Sequence, residues 1–138
     1  MPQVISSVKA LINNEGKYLF LREPLHHGDI WDLPGGKIEY GEEPEQALIR
    51  EVKEEINLSV KVGQSVGVWW FYSQNSKHQV ICHTFLCELI NNVNIDLTKN
   101  PADEHFVEYR WLSINEALND PEIKLTDSLR NLLSSIDV

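Results

Sequence analysis

The stretch GKIEYGEEPEQALIREVKEEINL, residues 36–58, decides how the rest of the chain is interpreted. Pro44 suits the first position of a helix, because the N–H group that proline lacks would have no partner there. Apolar residues then recur at helical spacing, which predicts a helix from Pro44 to about Ile56. The core-facing stripe of this helix is expected to contain Leu48, Ile49, Val52 and Ile56. Asn57 is expected to cap its end.

Acidic side chains occupy another arc of the same helix. Glu51, Glu54 and Glu55 share this arc, whose centre holds the small Ala47 and is expected to be unobstructed. Like charges three or four residues apart destabilise a helix by about 0.2–0.5 kcal/mol per pair, and Arg50 can relieve only Glu54. A divalent cation such as Mg²⁺, which favours carboxylate and phosphate oxygens, would relieve the rest. A solvated acidic face is the alternative.

The pattern resembles the Nudix box, G-x5-E-x7-R-E-U-x-E-E-x-G-U, in which U is a bulky aliphatic residue. The matching residues here are Gly36, Glu42, Arg50, Glu51, Val52, Glu54, Glu55 and Leu58. Asn57 stands where the family has glycine. Asparagine is the next most tolerant residue in a left-handed helix cap, so the helix is expected to end at the same place.

The resemblance implies a metal-dependent reaction. In proteins that this chain resembles, the carbonyl matching Gly36 and the carboxylates matching Glu51, Glu54 and Glu55 hold Mg²⁺ or Mn²⁺ ions against a diphosphate. The arginine matching Arg50 orients a glutamate. Metal ions would neutralise the phosphoryl oxygens and activate a water for attack on phosphorus. The implied chemistry is hydrolysis of a P–O–P linkage.

The resemblance leaves the general base open. Glu51, held by Arg50, is the first choice. Glu104 is the second choice. It lies seven residues before Trp111, close to the spacing at which MutT-like members place an additional loop carboxylate. A solvated loop acid is the alternative for Glu104. Arg22, at the end of the second predicted strand, matches a position that often grips phosphate in MutT-like proteins, and a guanidinium suits that contact.

Substrate selection is expected to lie outside the box. The sequence WWFY, which begins at Trp69, alternates faces, so Trp69 and Phe71 could stack on a base, although core packing is the alternative. Asp127 lies near the position where MutT-like enzymes present a side chain to the base edge, or it caps the last helix. His26 and His27 could reach the substrate from their loop, or they are solvated.

Marks of other Nudix subfamilies are weak or absent, so a MutT-like enzyme remains the leading hypothesis. It would cleave an ordinary or oxidised (deoxy)nucleoside triphosphate into a nucleoside monophosphate and pyrophosphate. A nucleoside diphosphate sugar hydrolase is an alternative with the same chemistry. A non-catalytic Nudix sensor that binds a ligand is an alternative from a different class.

The remaining sequence predicts an α/β protein with a mixed central sheet flanked by helices. Pro34-Gly35-Gly36 is expected to form a tight loop, and the longest strand is expected to bend at Gly63 or Gly67. The strands are predicted at Val4–Ile12, Lys17–Arg22, Trp31–Leu33, Ser59–Tyr72, Gln79–Leu89 and Phe106–Leu112, and further helices at Ile114–Leu118 and Asp127–Ile136. This order resembles the Nudix α/β/α sandwich from end to end.

Composition limits the number of domains, the expected location and the possible partners of the protein. The 138 residues suit one domain, 1–138, and no apolar run approaches the roughly 20 residues that span a bilayer. Without a secretory signal, the cytoplasm is the expected location. The net charge of −9 argues against a nucleic-acid polymer as partner, but not against a small nucleotide. Cys82 and Cys87 are expected on opposite strand faces, too far apart to pair. A homodimer is left open.

Overall fold

The computed structural model describes residues 1–25, 28–90, 94–98 and 106–136. Its elements, in chain order, are β1 (Val4–Asn14), β2 (Lys17–Glu23), β3 (Ile30–Asp32), β4 (Gly35–Lys37), α1 (Pro44–Ile56), β5 (Val60–Tyr72), β6 (Gln79–Leu89), β7 (Glu108–Leu112), α2 (Ile114–Asn119) and α3 (Asp127–Ser135). Every predicted strand and helix is present. The tight loop predicted at residues 34–36 was wrong, because Gly35 and Gly36 belong to strand β4, which pairs with β1.

The strands form one mixed sheet in the order β3-β2-β1-β6-β5, with β4 added beside β1 and β7 beside β2. Strands β1 and β6 run parallel, and the other pairs are antiparallel. β1 and β2 pair only near their hairpin, at Asn13 and Asn14. Beyond that point they separate, so the segment that carries β3 and β4 lies between them. This segment positions both regions discussed below.

Helices cover the two faces of the sheet, as predicted. Helix α1 contributes Leu48, Val52 and Ile56 to a core on one face. Helices α2 and α3 cover the other face, where Leu129 and Leu133 are fully buried. The cysteines lie as expected: Cys82 packs in the second core, Cys87 packs in the first, and both are free.

Helix α1 is rotated relative to the predicted stripe. Ile49 was expected in the core but is 40% exposed, whereas Ala47 is fully buried. Strand β4 contacts the helix at Glu51 and Glu55, so the buried face extends to that side. The predicted end of the helix is confirmed: Asn57 adopts the left-handed conformation (φ 61°, ψ 33°), and its N–H donates to Lys53 O at 3.0 Å.

The predicted bend in β5 is also confirmed. The register against β6 shifts between Val62 and Ser65 and again between Ser65 and Gly67. Gly67 has a φ of +139°, and a Cβ there would lie 2.7 Å from Cδ1 of Leu132 in α3. The bulge thus lets α3 pack closely on β5. Among the described residues, no helix combines the length and apolar character needed to cross a membrane.

Candidate active site

Strand β4 lies between β1 and α1, and its glycines allow both contacts. A Cβ at Gly35 would come within 2.0 Å of Val8 O, and one at Gly36 within 2.4 Å of Glu51 Oε2. Real Cβ atoms do not tolerate such distances. The Gly36 carbonyl accepts a hydrogen bond from Ser7 Oγ at 2.8 Å. The backbone of β4 is therefore held directly against the acidic arc of α1.

The three carboxylates of the arc occupy different environments. Glu55 is only 2% exposed, and its Oε1 accepts a hydrogen bond from Gly35 N at 3.1 Å. Glu51 is mostly buried beside Gly36, whereas Glu54 is partly exposed. The prediction of an unobstructed arc was wrong, because Ala47 at its centre and Glu55 are buried, and of its three carboxylates only Glu54 is largely accessible.

Arg50 holds these acids in a network that the sequence revealed only in part. Its Nη1 donates to Glu51 Oε1 at 3.0 Å and to Glu54 Oε2 at 3.2 Å. Its Nε and Nη2 donate to the two oxygens of Glu42, both at 2.8 Å, and Nη2 also reaches Lys37 O at 3.3 Å. This bidentate contact fixes the guanidinium plane. We call residues Gly35, Gly36, Glu42, Arg50, Glu51, Glu54 and Glu55 the β4–α1 site.

Charge pairing accounts for the pKa shifts in this network. The hydrogen bond from Arg50, with help from the Glu39 N–H, lowers the pKa of Glu42 to about 2. The hydrogen bond to Glu42 contributes most to raising the pKa of Arg50. Glu42 matched the box in sequence but received no role there. Its opposite charge to Arg50 within one motif was the signal that could have identified this pair.

The donors of the β4–α1 site suit a hard divalent cation. The Gly36 carbonyl, Glu51, Glu54 and Glu55 offer oxygen atoms alone, the donor type that Mg²⁺ and Mn²⁺ prefer. Gly36 and Glu51 are in direct contact, and Glu55 binds the adjacent Gly35. Within the described part of the chain, however, no three acidic, histidine or cysteine side chains already converge as a ligand set. Arg50 holds one oxygen each of Glu51 and Glu54 in this arrangement.

A cavity of about 910 Å³ lies near the other end of the β3–β4 segment. It is lined by residues 23–25, 30–32, 69–75, 126–128 and 131, and we call it the aromatic pocket. Three side chains predicted to bind substrate line it, namely Trp69, Phe71 and Asp127. The ring centroids of Trp69 and Phe71 are 5.7 Å apart. The sequence therefore identified residues that the fold brings together.

The alternation of faces predicted for the WWFY sequence is confirmed. Trp69 is 2% exposed and packs in the core, whereas Trp70 and Tyr72 on the opposite face are largely exposed. Phe71 is partly buried against the same core as Trp69. Trp69 therefore forms a wall of the pocket more than an open stacking platform.

Arg22 does not line the aromatic pocket. Its Nε donates to Glu108 Oε1 at 2.9 Å, and Nη1 pairs with Asp29. These two hydrogen bonds raise the pKa of Arg22. A phosphate contact would have to compete with both carboxylates, so that role stays a prediction. The predictions for Glu104, His26 and His27 concern residues outside the part of the chain that the structure describes.

Sequence reasoning missed a buried ion pair between the two regions. Lys9 Nζ lies 3.0 Å from Asp32 Oδ2, and both side chains are largely buried. Asp32 lines the aromatic pocket, and Lys9 pairs with Gly35 in the β1–β4 register. A lysine at an inward position of the apolar strand VKALI was the available signal.

Comparisons with known proteins agree with this architecture. The family model described as NUDIX domain matches residues 2–134. A CTP pyrophosphohydrolase of Escherichia coli (strain K12) is 36% identical over 66 residues, which cover 46% of this chain and 49% of that protein. An ADP-ribose pyrophosphatase of Bacillus subtilis (strain 168) is 32% identical over 111 residues, 78% of this chain and 57% of the relative. The matches thus span about half the length of these curated relatives.

A solved structure supports the likeness over almost the whole chain. The crystal structure of a MutT protein from Methanosarcina mazei Go1 superposes with a TM-score of 0.77 at 28% identity. The superposition covers 96% of this chain and 92% of that one. The mixed sheet and its flanking helices therefore form a fold that is already known from a solved structure.

Proposed function

The chain belongs to the Nudix hydrolase family, and from that premise we propose that it is a Mg²⁺-dependent nucleoside triphosphate pyrophosphatase. Its products would be a nucleoside monophosphate and pyrophosphate. One observation carries the proposal: an oxygen-rich site at Gly36 and Glu51 lies at one end of the β3–β4 segment, and an aromatic pocket lies at the other. This arrangement suits a substrate with a phosphate chain at one end and a flat ring at the other.

The described lining of the pocket supports this orientation. It contains Glu23, Asp32 and Asp127 but neither lysine nor arginine. Phosphate groups would be repelled there, whereas a nucleobase can pack against the aromatic rings. We place the base in the pocket, beside Trp69 and Phe71, and assign Asp127 to its edge. Arg22 remains a proposed phosphate contact.

The phosphate chain would bind at the β4–α1 site with one or more Mg²⁺ ions, or Mn²⁺ in their place. We assign the Gly36 carbonyl, Glu51, Glu54 and Glu55 as ligands. When bound there, the metal would offset charge on the phosphoryl oxygens and lower the pKa of a water molecule. The glycines of β4 let its backbone lie against Glu51, which brings the Gly36 carbonyl into the same ligand set.

The protein's own side chains would then position and deprotonate the attacking water. We assign Glu51 as the general base, because Arg50 donates a hydrogen bond to its Oε1 and its side chain is mostly buried beside Gly36. Arg50 is itself fixed by both oxygens of Glu42, so Glu42 acts as a positioning residue. Glu104 is retained as the second candidate for the base.

A substrate panel tests the proposal. Purified protein with Mg²⁺ is expected to release pyrophosphate from at least one ordinary or oxidised (deoxy)nucleoside triphosphate. Glu54→Gln is expected to reduce turnover by roughly 10²–10³-fold, since it removes charge where phosphate charge must be balanced. Glu45→Gln, at an exposed position of the same helix, is the matched control and should retain turnover.

Product identity separates the alternatives. Sugar phosphate released from a nucleoside diphosphate sugar would favour a sugar hydrolase and contradict the triphosphate assignment. Binding of nucleotides without metal-dependent turnover would favour a sensor. If Glu54→Gln and Glu45→Gln are equally active, the proposed ligand set is wrong.

A further inference from the structure

Lys9 lies directly behind two walls of the aromatic pocket. It sits in the middle of β1 and is 5% exposed. Its Nζ donates to Asp32 Oδ2 at 3.0 Å and to Leu33 O at 3.3 Å, and it lies 6.0 Å from the centroid of the Trp69 ring. Asp32 and Trp69 line the pocket, whereas Lys9 does not. Any effect of Lys9 on a ligand therefore passes through these neighbours.

Stability alone is a weak reason to bury this ion pair. Removing two charges from water is costly, and apolar replacements of such pairs are often neutral or stabilising. The pair does, however, fix the Asp32 side chain tightly. Lys9 binds Oδ2, and the Leu33 N–H donates to Oδ1 at 2.6 Å. A carboxylate held in an ion pair accepts hydrogen bonds and donates none.

The pocket walls also contain two polar atoms that lack a partner but are not accessible from the cavity. Trp69 Nε1 and Thr126 Oγ1 are buried and have no hydrogen-bond partner among the described residues. Both residues line the aromatic pocket. A ligand in the cavity therefore does not reach the Trp69 N–H, and Trp69 contributes packing surface to the wall. The pocket then offers an aromatic wall at Trp69 and a hydrogen-bond acceptor at Asp32.

We propose that Lys9 is a positioning residue that holds Asp32 as a hydrogen-bond acceptor, so that the pocket selects a nucleobase with an amino group over its keto counterpart. This inference rests on the proposed function. Cytosine and adenine carry an amino group that can donate to Asp32. In uracil and hypoxanthine a carbonyl oxygen takes its place. The carbonyl oxygen would face a carboxylate.

The charges around the pocket strengthen this selection. The other charged residues of its described lining, Glu23 and Asp127, are also acidic. Within that lining there is no lysine or arginine, so a keto oxygen could meet only neutral donors such as the amides of Gln74, Asn75 and Asn131. A site built for a donor rejects a ligand that lacks it more strongly than an apolar site rejects a change of shape.

The wild-type protein provides the first test. We would measure kcat/KM with Mg²⁺ for two pairs that differ in this feature, CTP against UTP and ATP against ITP. The amino member of each pair is expected to be preferred by about tenfold or more. Equal kcat/KM within each pair, to roughly threefold, would overturn the proposal.

A double variant tests the role of Lys9 itself. Lys9→Met/Asp32→Asn keeps the side-chain sizes and removes both buried charges, and the new amide can donate as well as accept. Its CTP preference is expected to fall towards one, mainly through a higher KM for CTP and a lower KM for UTP. Lys9→Met alone, which leaves Asp32 without its cation, should unfold at a lower temperature than the double variant.

Lys17→Met is the control. Lys17 forms an exposed ion pair with Glu116, and neither residue lines the pocket. It should keep the wild-type CTP preference. A folded double variant with that same preference would overturn the role of Lys9. If neither these four nucleotides nor any other ordinary or oxidised nucleoside triphosphate of the panel is hydrolysed, the proposed function itself fails, whereas hydrolysis of keto-base nucleotides alone overturns the Lys9 proposal. Turnover with equal kcat/KM for the paired nucleotides would overturn only the inference about Lys9.

Discussion

The β4–α1 site and the aromatic pocket lie at opposite ends of one short segment, yet they are built differently. The first is assembled within residues 35–55, from a glycine strand and the helix that packs on it. The second is assembled from separate chain segments around β2, β3, β5 and α3. Chemistry that many relatives share can thus reside in one local unit. Residues of the aromatic pocket can then change, and with them the preferred substrate, without disturbing the β4–α1 site.

Substitution of Glu51, which we assign both as the general base and as a metal ligand, should give the largest effect, mainly on kcat. Glu51→Gln keeps the side-chain shape but removes the proposed base, so kcat should fall about 10²–10⁴-fold while KM changes little. Initial rates of pyrophosphate release would measure this. A Glu51→Gln variant with a raised KM and an unchanged kcat would contradict both the role of Glu51 as the base and the functional difference between the two regions.

Gly35→Ala should break the local unit itself. Its Cβ would lie 2.0 Å from Val8 O, at a φ of +147°. We expect the free energy of unfolding in urea to fall by about 3–5 kcal/mol, from overpacking and backbone strain together. Gly16→Ala is the matched control, since its φ is +83° but nothing lies within 4 Å. It should lose only about 1–2 kcal/mol. Equal losses would mean that β4 does not pack this closely.

Arg50→Lys separates charge from geometry in the β4–α1 site. Lysine keeps the positive charge but cannot bind both oxygens of Glu42 while also reaching Glu51. Misplacement of Glu51 should lower kcat by about 10²-fold, with the fold retained. Steady-state kinetics and a thermal melt would be compared. Full activity in Arg50→Lys would show that charge alone suffices.

A pocket substitution should act mainly on affinity. Phe71→Ala removes a ring from the wall, and KM for the preferred nucleotide should rise about tenfold, with a smaller change in kcat. Val68→Ala is the control, because Val68 lies on the same strand but is half-exposed and does not line the pocket. A drop in kcat with unchanged KM would contradict the separation of the two regions.

The pH dependence of stability should show the smallest effect. Arg50 lowers the pKa of Glu42 from 4.5 to about 2, so the pair stabilises the fold fully above pH 4.5. This contribution is lost as the pH falls from 4.5 towards 2. The difference in Tm between wild type and Glu42→Gln should therefore be constant above about pH 5 and shrink below it. A difference that grows on acidification would exclude the pair.

The local sequence was sufficient for α1 and for most of its chemistry. Pro44, the apolar spacing and Asn57 placed both ends of the helix, because these signals act within one or two turns. The same spacing put Glu51, Glu54 and Glu55 on one arc. Alternation within the WWFY sequence likewise placed Trp69 and Phe71 on one face, since strand periodicity is also local.

Only the tertiary structure decided what each of these groups faces. Glu55 is buried and hydrogen-bonded to β4, whereas Ile49, which the helical spacing placed in the core, is 40% exposed. Arg22 donates a hydrogen bond to Glu108, which is 86 residues away, and Lys9 of β1 pairs with Asp32 of β3. Such contacts depend on which strands become neighbours. Side-chain spacing along the chain carries no information about that choice.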